Sequence, residues 1–134
     1  MEDDLLTPNG RLPRAPFFAY SIVIAILGYM LSFFMVLKGS MEGNVLLSIP
    51  LIFIGAGWLG FAAYMTVLMT IKRLHDFEFS GWHTTWIMAP SILGFFIDHP
   101  SILDQILFML SLITTCWLVL MPGTRGPNKY GEQD

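Results

Sequence analysis

An ionisable stretch, residues 72–82, lies between two long apolar runs that constrain the fold more than any other feature. The run before it, 43–71, contains no charged residue, and the run after it, 81–97, contains none apart from the possible charge of His83. Uncharged runs of this length are typical of helices that cross a bilayer. The sequence therefore predicts a polar loop at a membrane surface, between two membrane-spanning helices.

The composition also indicates a membrane protein. Of the 134 residues, 54% are hydrophobic and 13% are charged, whereas about a quarter of the residues in soluble proteins carry a charge. A formal net charge of −3 gives no indication of nucleic-acid binding. The single cysteine, Cys116, excludes an intramolecular disulfide. Because an acidic leader with three prolines precedes the first apolar run, that run is not interpreted as a secretory signal.

The apolar runs predict an all-α, multi-pass membrane protein: a four-helix transmembrane bundle with its polar motifs at one face. We expect an extended N-terminal tail, 1–16, then helices at about 17–37, 46–71, 82–97 and 102–121, and a C-terminal tail, 122–134. The last two runs are short. Each is expected to be a tilted or kinked span, with a re-entrant pair as the lesser alternative.

Small residues predict how the first two helices pack. They recur at helical spacing in the first helix at Ser21, Ala25, Gly28 and Ser32, and in the second at Ala56, Gly60 and Ala63. Because small side chains let helix backbones approach closely in lipid, we expect these two faces to meet. The segment 55–60 also matches the pattern G-x-G-x-x-G, but it lies inside an apolar run with no strand before it. We therefore predict no nucleotide cofactor.

The basic residues predict the orientation. With four spans, one side holds six of them and the other side holds one: Arg11, Arg14, Lys72, Arg73, Arg125 and Lys129 against Lys38. Because Lys and Arg are retained on the cytoplasmic side, both termini and the loop 72–82 are expected to face the cytoplasm.

Three polar motifs, at 10–14, 72–82 and 122–131, would then share the cytoplasmic face and form a binding rim. The residues assigned to it are Arg11, Arg14, Arg73, His75, Asp76, Ser80, Trp82, Asn128 and Lys129. Ser80 is also expected to cap the next helix, and Trp82 to anchor it at the interface. Asp98 and His99 are interpreted as solvated turn residues at the opposite surface.

Two interpretations of the central loop remain open. A helix extending to Asp76 would pair it with Lys72 or Arg73, which explains the cluster as an anchor with an ion pair. Alternatively, His75 and Asp76 form a proton-handling or headgroup-binding pair. The histidine spacing resembles no metal-ligand set, and a Ser80–His75 nucleophile lacks an evident oxyanion hole, so neither a metal nor a catalytic residue is predicted. Asp104 faces either the far surface or the bundle interior.

The chain resembles the small bacterial inner-membrane proteins grouped as domain-of-unknown-function family 805. The resemblance extends from 10 to 131 and rests on Gly10-Arg11-x-x-Arg14 with Phe17 and Phe18, Arg73-Leu74-His75-Asp76 and Ser80-Gly81-Trp82, and Pro122-Gly123-Thr124, Gly126, Asn128 and Tyr130-Gly131. It implies an integral membrane protein with several helices and no established reaction. Two positions depart from the family pattern. Glu78 replaces a usual glycine, so the loop is expected to turn differently, and Lys129 replaces an arginine, which loses a planar two-pronged donor.

The function expected from these features is non-enzymatic. The rim would bind lipid headgroups or a membrane or cytoplasmic protein, without nucleic acid and with a homo-oligomer as one arrangement. The alternatives are a small transporter or channel-like protein and, less favoured, a membrane enzyme using His75 and Asp76. Transport would need a polar path, for which the apolar runs offer hydroxyl groups only.

Overall fold

The computed structural model describes residues 5–97 and 101–131, and these are helical apart from their connections. Four helices follow one another: α1, Arg14–Met41; α2, Val45–Asp76; α3, His83–Phe95; and α4, Ile102–Leu120. The predicted all-α fold with four helices is therefore confirmed for the described part of the chain. Asp98 and His99, predicted to lie in a solvated turn, are outside the described residues.

The helix ends differ from the predicted bounds. α1 begins at Arg14, so residues 14–16 belong to the helix rather than to the extended tail. Proline is tolerated there because the first backbone N–H groups of a helix have no partner within it. α2 continues beyond 71 to Asp76, α3 is shorter than 82–97, and α4 ends at Leu120. Ser80 does not cap α3 through its side chain; its carbonyl accepts the N–H of His83 at 3.1 Å instead.

The turn after α2 has a defined geometry. The N–H of Glu78 donates to the His75 carbonyl at 3.1 Å, and the N–H of Phe79 donates to the Leu74 carbonyl at 2.9 Å. These are the two bonds of a Schellman motif, which ends a helix with one left-handed residue. Glu78 fills that position with a φ of +64°. The turn thus uses the conformation that glycine adopts most easily, although a glutamate stands there.

Three helices, α1, α2 and α4, are long and apolar enough to cross a membrane. Large apolar side chains such as Phe33, Phe53 and Phe108 are exposed along them, as expected for surfaces that face hydrocarbon. α3 has 13 residues and rises about 20 Å, less than the ~30 Å hydrocarbon core of a bilayer. The expectation of four membrane crossings is therefore supported for three of the helices.

α1 and α2 pack closely through small residues, but not on the face that spacing alone predicts in α2. A Cβ added to Gly28 would lie 2.7 Å from the Cβ of Ala62, and one added to Gly55 would lie 2.9 Å from a methyl group of Val36. The predicted α1 face agrees with the structure in part, since Gly28 and Ser32 are buried and Ser21 is half-buried, whereas Ala25 is exposed. The predicted α2 face is wrong, since its members are all exposed: Ala56, Gly60 and Ala63. α2 carries small residues on more than one face, and local spacing cannot distinguish them.

α1 is not a uniform α-helix. Residues Ile24–Met30 form a π-helical segment, with Gly28 buried inside it. The hydroxyl of Ser32 donates to the Gly28 carbonyl at 2.6 Å. Such π-helical turns inside α-helices occur frequently at functional sites.

α3 and α4 form a second hairpin that returns the chain to the end where α1 begins. There the N–H of Leu12 donates to the Lys72 carbonyl at 3.1 Å, and the N–H of Thr124 donates to the Asp76 carbonyl at 2.9 Å. These bonds bring segments 10–14, 72–82 and 122–131 together at what we call the junction end. The buried apolar cluster of the described residues lies there too: Leu12, Phe17, Met69, Leu74 and Leu118.

Candidate functional site

The junction end is centred on a buried carboxylate, Asp76, the last residue of α2. Its side chain is 0% exposed. One oxygen, Oδ1, accepts two hydrogen bonds from Arg11, from Nε at 3.2 Å and from Nη2 at 2.8 Å. The other oxygen, Oδ2, accepts a hydrogen bond from Nη1 of Arg73, one helical turn earlier. Both oxygens are therefore occupied by guanidinium groups. We call Arg11, Arg73 and Asp76 the junction.

Arg11 joins the N-terminal segment to the C-terminal segment. Its Nη2 donates to the Thr124 carbonyl at 2.7 Å and to the Thr124 hydroxyl at 3.0 Å, while Nη1 donates to the Gly126 carbonyl at 2.6 Å. The Thr124 hydroxyl in turn donates to the Asp76 carbonyl at 2.9 Å. Arg11 thus satisfies carbonyl groups that would otherwise lack partners in an irregular segment.

Arg73 joins α2 to the end of α4. Its Nε donates to the Leu118 carbonyl at 2.8 Å, and its Nη2 donates to the Met121 carbonyl. The last carbonyls of a helix have no partner within it, so the guanidinium supplies the hydrogen-bond donors that these carbonyls lack. The guanidinium carbon also lies 4.4 Å from the centroid of the Phe77 ring, which is cation–π geometry.

The approach of the C-terminal segment requires glycine at 123. A Cβ added there would lie 1.8 Å from Oδ2 of Asp76, far inside contact distance. Glycine is thus required at position 123 by the close approach of the backbone to the buried carboxylate.

His75 connects two of the segments but does not pair with Asp76. Its Nδ1 lies 3.1 Å from the carbonyl oxygen of Gly10, and because a carbonyl only accepts, Nδ1 is the donor. The imidazole stacks on Tyr130 with the ring centroids 3.8 Å apart and the planes at 5°. The amide of Asn128 donates to the His75 carbonyl at 2.9 Å. The ring is therefore held by segments 10–14 and 122–131 together.

The structure contains the ion pair on which the first interpretation of the loop depends. Asp76 forms the expected ion pair with Arg73 and a second one with Arg11, and both its oxygens are engaged. The structure holds no His75–Asp76 pair, since Nδ1 of His75 is bonded to Gly10. Among the described residues, no three His, Cys, Asp or Glu side chains are grouped so that they could hold a metal ion.

The sequence matches one known protein family. The model of a family described as protein of unknown function, DUF805, matches residues 5–132. This chain belongs to the DUF805 family. No curated protein and no solved structure matches it. The motif residues of this DUF805 protein, from three distant segments, are the ones that meet at the junction end.

The predicted rim residues of the DUF805 chain separate by exposure. Arg11, Arg73 and Asp76 are buried, and both arginines donate to Asp76 and to backbone carbonyls. His75, Ser80 and Asn128 are half-buried, whereas the remaining three are exposed: Arg14, Trp82 and Lys129. The buried residues hold the segments together, and the exposed ones are accessible to a ligand.

Two further polar residues, Thr124 and Asp104, lie at positions that the sequence analysis did not predict. Thr124 belongs to the C-terminal family motif but was not predicted as a site residue, although it contacts Arg11, Asp76 and Asn128. Asp104, whose position the sequence left open, is half-buried in the first turn of α4, where its N–H is capped by Ser101. It therefore lies at the end opposite to the junction in this DUF805 fold.

Proposed function

We propose that this chain is a non-enzymatic membrane protein whose junction end lies at a membrane surface and binds the headgroups of anionic lipids. The observation that carries this proposal is the position of the exposed cations. Arg14, Arg125 and Lys129, which we call the cationic rim, are exposed and belong to segments that meet at the junction end. Lys38 is the one basic residue of the chain at the other end of α1.

The buried junction adds to the positive potential of the rim. Two guanidinium groups, Arg11 and Arg73, face one carboxylate, Asp76, which leaves one net positive charge. Arg14 and Arg125 line a hollow of about 470 Å³ together with Asp76, whose charge Arg11 and Arg73 already compensate. This hollow lies at the start of α1, where no side chain caps the first turn. The dipole of a helix favours an anion at its N-terminus.

The orientation proposed here places the junction end in the cytoplasm of a bacterial cell, with the helices in its plasma membrane. Six of the seven Lys and Arg residues lie at that end, as expected for a cytoplasmic face. Because residues 11, 76 and 124 are in contact, the part of the chain between Asp76 and Thr124 begins and ends on the same side of the membrane. Both termini are then on one side, with α3 as a short fourth span.

Native mass spectrometry with two lipids tests the rim. Dioleoylphosphatidylglycerol is expected to bind the purified protein more tightly than dioleoylphosphatidylethanolamine, which has no net charge. Each of Arg14→Gln, Arg125→Gln and Lys129→Gln is expected to weaken the binding of the anionic lipid about fivefold, because a basic residue near an anionic surface contributes about 1 kcal/mol.

Lys38→Gln is the matched control and is expected to change nothing, because Lys38 is exposed at the opposite end of α1. Equal binding of the two lipids, or an equal loss in Lys38→Gln, would contradict the lipid proposal. A protein that co-purifies with the wild type but not with Arg125→Gln would assign the rim to a protein partner instead.

A second candidate function, transport of a small polar solute, is favoured by one observation. The four helices line a hollow of about 200 Å³, and all of them contribute hydroxyl-bearing residues to its wall: Ser21, Tyr29, Thr66, Thr70, Ser91, Thr114 and Thr115. The π-helical segment of α1 contributes Ile24 and Tyr29 to its wall. Solute flux into proteoliposomes that falls in Thr70→Val would favour transport, and flux equal to that of protein-free vesicles would exclude it for the solutes tried.

A further inference from the structure

The two helix hairpins, α1–α2 and α3–α4, share the junction end but differ in length. α1 and α2 have 28 and 32 residues, whereas α3 and α4 have 13 and 19. α2 therefore rises about 48 Å, α4 about 28 Å and α3 about 20 Å. Because Arg73 of α2 donates to the carbonyl of Leu118 in α4, both helices reach the junction end at the same level. The tip of α3–α4 thus lies about 20 Å short of the far end of α1–α2.

The outer part of α1–α2, beyond the tip of α3–α4, forms a two-helix hairpin. Residues 31–41 of α1 pack on α2 and on the preceding part of α1, but on neither α3 nor α4 in the described part of the chain. Large apolar side chains are exposed along this outer part, such as Phe34, Leu46 and Phe53. Because transfer of such side chains to water is unfavourable, the outer part is expected to lie in hydrocarbon as far as Leu46.

The tip of α3–α4 is polar where α4 begins. Ser101 has an extended backbone, with φ −126° and ψ 158°, and its hydroxyl accepts the N–H of Asp104. Gln105, the next residue, is exposed. Irregular backbone that faces lipid and a carboxylate are both disfavoured in hydrocarbon. The tip is therefore expected to reach water.

A flat bilayer cannot meet both requirements. If its hydrocarbon covers α1–α2 as far as Leu46, the tip of α3–α4 lies about 20 Å beneath the far surface. If the far surface is level with the tip, Leu46 and its apolar neighbours stand in water. Tilt does not resolve the mismatch, because a tilted α3 or α4 reaches less far across the bilayer. A bilayer accommodates short helices by thinning beside them, at a modest cost for each ångström.

We propose that α3–α4 thins the bilayer beside it, and that the lipids which fit this surface are phospholipids with short acyl chains. The far surface dips toward Ser101 and Gln105, while the bilayer on the other side of α1–α2 keeps its ordinary thickness. This inference rests on the proposed position of the junction end at a membrane surface. It concerns the length of the acyl chains and not the headgroup charge that the cationic rim recognises.

Labelling from water tests the position of the tip in dioleoylphosphatidylcholine vesicles. Cys116→Ser removes the native thiol from every variant. Gln105→Cys is expected to react with a membrane-impermeant maleimide about as fast as Gly43→Cys, which lies in the connection of α1–α2. Leu112→Cys is the matched control: it is exposed about 10 Å from Gln105 on the same helix and is expected not to react. A protected Gln105→Cys beside a reactive Gly43→Cys would overturn the proposal, whether hydrocarbon or a second copy covers the tip.

Tryptophan fluorescence tests which lipids lie beside α3–α4. Trp82 and Trp86 are exposed on α3, and Trp58→Phe removes the tryptophan of α2. Brominated dimyristoleoylphosphatidylcholine, mixed with an equal amount of dioleoylphosphatidylcholine, is expected to quench this variant more than the reverse mixture does. The expected preference for the shorter chain is about twofold to threefold. Equal quenching by the two mixtures would overturn the proposal.

Lengthened variants show whether the short helices cause this preference. Insertion of Leu-Leu-Ala-Leu after Ile92 and after Met109 lengthens α3 and α4 by about one turn each and is expected to remove it. The same insertion after Leu37 and after Ile52 lengthens α1–α2 instead; it is the matched control and is expected to keep the preference.

The two lipids have the same headgroup, so Arg14→Gln and Arg125→Gln are expected to keep the preference for the shorter chain. Failure of the anionic-lipid proposal and failure of this one are therefore distinguishable. Loss of the preference in these rim variants would contradict the dependence on chain length.

Discussion

At the scale of single residues, the end of α2 combines a satisfied charge with a strained backbone. Asp76 uses both oxygens within the protein, so its burial is compensated. Two residues later, Glu78 takes a positive φ that L-residues with a Cβ adopt at a cost of about 1–2 kcal/mol. The family resemblance places a glycine at this position. Glycine would adopt this conformation without that strain.

Glu78→Gly is expected to stabilise the protein by about 1 kcal/mol, because glycine removes the strain but loses more conformational entropy on folding. Thermal unfolding in detergent measures this change. Glu42→Gly is the control: Glu42 ends α1 with an extended backbone, φ −76° and ψ 124°, so glycine gains nothing there. A melting temperature for Glu78→Gly at or below that of the wild type would show that the Glu78 side chain makes a compensating contribution.

At the scale of secondary-structure elements, α1 and α2 depend on close contact between their backbones. In lipid, burying apolar side chains against each other gains little over lipid contact, so packing relies on small residues. Gly28 and Gly55 lie at the contact, whereas an added Cβ at Gly60 would meet nothing within 4 Å. The small residues of α2 therefore divide into packed and lipid-facing sets.

Gly28→Ala is expected to destabilise the helix pair by about 1–3 kcal/mol, because its Cβ would lie 2.7 Å from that of Ala62. Gly60→Ala is expected to be neutral or stabilising by up to about 1 kcal/mol, since alanine is the better helix former. Thermal unfolding of both variants compares the two faces. The opposite order of stability would place the contact on the face of Ala56, Gly60 and Ala63.

At the scale of the whole molecule, the junction joins segments that are distant along the chain. Arg11 bonds to Asp76 across 65 residues and to Gly126 across 115 residues. Arg73 bonds to Leu118 across 45 residues. One buried carboxylate thus organises the N-terminal segment, the end of α2 and the C-terminal segment at the same time.

Asp76→Asn is expected to destabilise the protein by about 3–5 kcal/mol, since it leaves two buried guanidinium groups without a counterion. Hydrogen exchange is expected to rise together in segments 10–14 and 122–131, because both are bonded through Asp76. Asp104→Asn is the control, and a loss of no more than about 1 kcal/mol is expected for a carboxylate in the first turn of a helix. Faster exchange in only one of the two segments would mean that they are held independently.

The sequence by itself determined that this is an all-α protein with helices suited to a membrane. The length and apolar content of a run are local properties, and they decide whether a helix is stable in hydrocarbon. The positions of the helices followed to within a few residues, and the largest differences are the start of α1 at Arg14 and the end of α2 at Asp76. Local patterns carry this information because each helix satisfies its own backbone.

Only the tertiary structure decided what the polar residues do. The sequence placed Arg11, Arg73 and Asp76 on a binding rim, but burial and mutual hydrogen bonds make them the junction. Likewise, the contact of Gly28 with Ala62 selected the packed face of α2. Each of these depends on residues far apart in the chain, because burial is set by what packs against a side chain and not by its neighbours in sequence.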